Sequence, residues 1–257
     1  MTQAVKHRSV SSSKLVRLLS EYDPSSIDVT HKNFAERLGL LVDLSDSVTL
    51  SESLRAIPRM RHDAQGNQDE SLCDDLVQAF LNQRSEILKS ILKSFDPSAV
   101  FIQFKLPIPN SETSAEEALK FEQYQRFYSL HQSELDFKIE KLRAFIRKHV
   151  SRHSLKLAQL AELDKTISKS MATHTRKRFS AISKLIKVRF DQLYTDYVTN
   201  TTNDIAKEKP IVWLADNGWL SKFHSEMQQI LLAELEIRLQ PIIGLIEAYS
   251  EEIESLK

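Results

Sequence analysis

The chain has 257 residues, 41% of them hydrophobic, and its 35 basic and 35 acidic side chains give a net charge of zero. That is enough apolar material for one large domain or two small ones. Four glycines and seven prolines are few, since average usage would give about 18 and 13, and a sheet protein needs both at its turns; the composition therefore argues for an all-α fold. The single cysteine, Cys73, excludes an internal disulfide and suits a reducing compartment. With no apolar run near 18 residues and no apolar stretch after Lys6 and Arg8, neither a transmembrane helix nor a signal peptide is expected, and the reading is a cytoplasmic protein.

Residues 1–12 are polar and read as disordered. Ser13 is placed to cap a helix over 14–22 that carries Leu15, Val16, Leu18 and Leu19. Asp23-Pro24 makes a turn, and Thr30 or Asn33 starts a helix that Pro58 ends, with Gly39 allowing a close approach. Residues 59–69 are a polar loop around Gly66-Asn67. A helix follows from Asp69 or Ser71 and stops at Phe95-Asp96-Pro97. Residues 13–95 thus form an N-terminal helical bundle.

Residues 96–113 read as an extended connector. Val100 to Leu106 is β-branched and aromatic, and Pro107 and Pro109 force an extended backbone. With no second strand to pair with, 98–110 is expected to be a buried extended segment. Ser111 to Ser114 then supplies a cap before the acidic first turn of Glu116 and Glu117.

From Asn110 to Lys209 there is neither glycine nor proline. Leu135, Ile139, Leu142, Ile146 and Val150 recur at three- and four-residue steps, and Phe179, Ile182, Ile186, Phe190 and Leu193 do so again. Residues 114–200 form either a helical hairpin turning near 151–154 or a coiled coil. A single helix of ~100 residues would be ~150 Å long and would need a partner along its length. His149, His153, His174 and Arg178 interrupt the seam, which favours the hairpin. Residues 210–257, after a polar loop, give a last helix that packs back on the hairpin and is kinked or restarted at Pro241. The whole reads as long antiparallel helices in an elongated bundle.

The charge is segregated. Residues 138–191 hold 15 basic and four acidic side chains, while 21–137 and 192–257 are acidic. Arg176, Lys177 and Arg178, followed by Lys184, Lys187 and Arg189, form the densest basic cluster. They suit an acidic protein partner, a nucleic acid or an anionic membrane, or neutralisation by the chain's own Glu234, Glu236, Glu247, Glu251 and Glu252. His149 and His153 are one turn apart without a third ligand, and Asp74 and Asp75 beside Cys73 disfavour its thiolate. Asp43/Asp46 and Asp74/Asp75 lack a Glu-x-x-His companion. No catalytic, metal or cofactor set emerges. The expectation is a non-enzymatic scaffold or adaptor for a protein partner, with homo-oligomers through the long helices a further option and nucleic-acid binding by the 138–191 arm the alternative.

The C-terminal run from Met227 to Tyr249, with LLAELEIRLQPIIGLIEAY at its heart, resembles the end of a proteobacterial family known only as a domain of unknown function. The segments SSKLVRLL ending at Leu19, FAERLG ending at Gly39, and Asp43 to Asp46 are similar to that family's N-terminal half. The resemblance spans nearly the whole chain. It implies a soluble bacterial protein with no assigned activity, encoded beside predicted cell-envelope proteins, and so a partner in an envelope complex.

Overall fold

The computed structural model describes residues 13–22, 44–61, 71–201 and 209–255. Helix accounts for 83% of them, without a strand among the described residues, so the all-α reading holds. The expected N-terminal disorder, the helix start at Thr30 or Asn33, Gly39 and the Gly66-Asn67 loop lie outside the described residues.

The helices are α1 (Lys14–Tyr22), α2 (Leu44–Ala56), α3 (Ser71–Phe95), a single turn α4 (Ala115–Ala118), α5 (Phe121–Val150), α6 (Leu155–Asn200) and α7 (Trp219–Ser255). Short 3-10 turns occupy Ile57–Arg59 and Pro210–Leu214. Local chemistry sets several of these boundaries. Ser114 Oγ accepts from Glu117 N at 3.1 Å and starts α4. Ser154 Oγ accepts from Leu157 N at 3.2 Å and starts α6. Ser13 differs: its hydroxyl has no partner among the described residues, and its carbonyl takes Arg17 N instead. The chain also breaks at Leu119 and Lys120, where neither glycine nor proline intervenes: Lys120 N donates to Glu117 O at 3.1 Å, and Gln123 Nε2 donates to Glu117 O and Ala118 O. Helix α7 runs on through Pro241.

The connector departs from the expectation in one respect. Leu106 and Pro109 are buried, and Leu106 N donates to Ser94 O at 3.0 Å. Val100 and Phe101 instead face solvent, with Phe101 wholly exposed and its backbone at φ 58°. Asp96 Oδ1 accepts from Ser98 N and Oγ, and Lys105 Nζ donates to Pro97 O, so polar bonds hold this stretch rather than burial.

The chain folds as two compact units. The first takes residues 1–30, 90–132 and 180–237, and the second 31–89, 133–179 and 238–257. Aromatic rings fill the first. Phe190 lies 4.9 to 5.6 Å, centroid to centroid, from Phe121, Tyr124, Trp219 and Phe223. Trp213 and Trp219 are buried against each other at 5.4 Å. The turn between them needs glycine at 218, since a Cβ there would stand 2.1 Å from Trp213 O.

The second unit has an aliphatic seam of Leu135, Ile139, Leu142, Ile146, Leu239 and Ile242. Arginines reinforce it. Arg143 and Arg147 both grip Asp164, with Arg147 Nε at 2.6 Å, and Arg143 also donates to Ser168 Oγ at 3.1 Å. Arg238 pairs with Asp136 and lies 3.8 Å from the Phe179 ring.

Candidate functional site

The basic cluster lies on α6, and the structure treats its members differently. Arg176, Lys177 and Arg178, in the second unit, are all exposed. Arg176 and Arg178 form no ion pair with the described residues. They fall in a stretch, 171–181, in which no side chain is buried. Over three turns of a 46-residue helix only Met171, Ala172, His174 and Phe179 are even half-buried. Phe179 packs beneath Arg238.

The other cations, in the first unit, have other duties. Arg189 makes a two-pronged pair with Glu226 at 2.7 and 2.8 Å and is largely covered. Lys187 Nζ donates to Asp191 at 2.7 Å and lies 5.8 Å from the Phe121 ring. Lys184 is exposed. Of the six cations, Lys187 and Arg189 are therefore paired within the chain.

Of the acids proposed to neutralise the arm, Glu252 accepts from Lys156 Nζ at 2.7 Å and from Ser154 Oγ. That contact with Lys156 lowers the Glu252 carboxyl's pKa and raises that of Lys156. Glu236, Glu247 and Glu251 are exposed. Glu234 behaves otherwise. It is fully buried in the first unit and accepts from Tyr128 Oη at 2.6 Å and Gln132 Nε2 at 3.1 Å. Tyr128 and Gln132 are i and i+4 on α5, so one face of that helix presents both donors. The arrangement fixes α5 against α7 at one register.

Two more buried groups lie near this clasp in sequence. Tyr124 Oη and His224 Nε2 have no hydrogen-bond partner among the described residues, and the two rings are 5.5 Å apart. Burial raises the Tyr124 hydroxyl above its ordinary range and lowers His224 to about 4, so that imidazole is neutral at neutral pH. Sequence reading missed this group. The available signal was a polar residue inside an apolar run: Glu234 sits among Ile230, Leu231, Ala233 and Leu235, on their side of the helix.

The two histidines one turn apart do not converge. His149 Nδ1 bonds Phe145 O at 2.9 Å, and His153 packs edge-on against Tyr249 at 5.1 Å. No group of three metal-ligating side chains forms among the described residues. No described helix is long and apolar enough to cross a membrane. No curated protein and no solved structure matches the chain. One family model does, over residues 1–251, and the chain belongs to that family, described as "Protein of unknown function (DUF3348)".

Proposed function

We propose that this chain is a non-enzymatic helical scaffold that docks an acidic protein partner, of a cell-envelope complex, on the turns around Arg176, Lys177 and Arg178. The carrying observation is the absence of any buried side chain over 171–181 of α6. A helical segment with no fully buried side chain gains little from tertiary packing, and three consecutive exposed cations define the chemistry that would cover it. The shortness of the patch favours a protein over a nucleic acid. A phosphate backbone is tracked by many cations, whereas Lys187 and Arg189 are already paired within the chain.

The test is a photo-crosslinking residue at Thr175, used in cells. The reading expects one dominant crosslinked protein with an acidic contact surface, lost in the Arg176→Glu/Lys177→Glu/Arg178→Glu variant. Crosslinking indifferent to those charges contradicts it. DNA or RNA retardation that falls steeply with salt, and that the same variant abolishes, would replace it with the nucleic-acid reading.

A further inference from the structure

A second surface in the second unit has no part in that proposal. On α5 the core side is set by Ile139 and Ile146, which are buried. At 100° per residue, Phe137 and Lys148 lie on the opposite side, with Lys141 and Phe145 beside them. Phe137 is 70% exposed and Phe145 41%, and both lysines are exposed without an ion pair among the described residues. A large apolar ring directed away from the core and flanked by cations marks a contact surface.

The same unit carries its chemical complement. The solvent side of α7 presents Gly244, Glu247, Glu251 and Glu254, all exposed. A Cβ at Gly244 would meet nothing within 4 Å, so the helix has an open notch there. The two ridges also match in spacing. Phe137, Lys141 and Lys148 fall at about 0, 6 and 16.5 Å along α5, and Gly244, Glu247 and Glu254 at about 0, 4.5 and 15 Å along α7. Each step agrees within about one residue's rise. A chain of zero net charge that exposes both a cationic aromatic ridge and an anionic notched one is complementary to itself.

We infer that two copies of this chain associate, the Phe137–Lys141–Lys148 ridge of one seating on the Gly244–Glu247–Glu254 ridge of the other. Phe137 enters the notch and loses its water, while the lysines pair with the glutamates. The ring supplies the burial and the charges supply orientation and partner choice.

The full chain is examined by sedimentation velocity over a concentration series, at low and high salt. The expected result is a reversible shift from 29.6 kDa to twice that mass, weakened by salt because the pairs are exposed. Phe137→Ala is expected to weaken association by tenfold or more, about 1.4 kcal/mol. Lys141→Glu/Lys148→Glu and Glu247→Lys/Glu254→Lys are each expected to be monomeric at unchanged thermal midpoint. An equimolar mixture of the two is expected to recover the double mass, because both contacts then join opposite charges. A single 29.6 kDa species at every concentration overturns the inference, as does a dimer that survives both charge reversals. So does a mixture that fails to associate. Vesicles of anionic lipid that bind the wild-type chain but not Lys141→Glu/Lys148→Glu, with no mixed dimer, would assign the ridge to a membrane surface instead and likewise overturn it.

Discussion

The two compact units are built from the same long helices yet are held by different chemistry. In the first, four rings crowd around Phe190 and the buried Glu234 is clasped by the neutral donors Tyr128 and Gln132. In the second, aliphatic side chains make the seam and arginine–carboxylate contacts brace it from the side. Ring burial is non-directional and little affected by salt, whereas partly exposed ion pairs are screened. The first unit should therefore answer to cavities and to protonation of buried groups, and the second to charge removal. The exposed cations of the proposed partner surface, Arg176 to Arg178, belong to the second.

The largest expected effect is Phe190→Ala. Removing a ring packed on four others should cost about 3–5 kcal/mol, read by urea unfolding. A loss under about 1 kcal/mol would mean that the aromatic cluster is not the core it resembles.

Acid comes next. His224 is held neutral down to about pH 4, while an unfolded histidine titrates near 6.5. Between those values the unfolded chain binds the extra proton, so stability rises with pH through the window and falls as the solution is acidified. The two pKa values give about 3 kcal/mol lost from pH 6.5 to 4. His224→Phe should flatten that part of the profile, and an unchanged slope would point to another group.

Asp164→Ala probes the other unit. It strips Arg143 and Arg147 of a shared partner at a site about one-eighth exposed. A loss of about 2 kcal/mol is expected, shrinking in high salt and non-additive with Arg143→Ala. If Asp164→Ala cost more than Phe190→Ala, the contrast between the units would be reversed.

The smallest effect belongs to Glu252, whose carboxyl is held below its ordinary range chiefly by the Lys156 contact. A depressed carboxylate adds stability above its unfolded pKa and loses it as pH falls through the folded value. Glu252→Gln should therefore differ slightly from wild type at neutral pH and converge with it in acid. A gap that persisted at pH 2 would show that packing, not charge, was lost.

Much of this fold is written in short-range signals. The Ser114 cap with Glu116 and Glu117, the stop at Asp96-Pro97, and the seam from Leu135 to Val150 depend on neighbours a few residues apart. Other features depend on distant contacts and leave no local trace. Val100 and Phe101 are a separate case: the bonds that hold their stretch, Ser98 to Asp96 and Lys105 to Pro97, are local, but strand-like composition masks them. Glu234 reads as one more acid on an acidic helix until Tyr128 and Gln132, about a hundred residues earlier, are brought to it. The basic cluster was legible as a run of charge. Which of its members remain available was not, because Glu226, which occupies Arg189, lies 37 residues away. The division of each long helix between two units likewise has no mark in the chain.

The central claim is that α6 carries a length of helix with no fully buried side chain, offered to a partner. Hydrogen exchange along α6 of the isolated protein, read peptide by peptide, tests it most directly. The account predicts a minimum of protection over 171–181, with slower exchange on both sides where Leu157 and Ala161, and then Ile186 and Phe190, are buried. Protection at 171–181 equal to that of its flanks would contradict it.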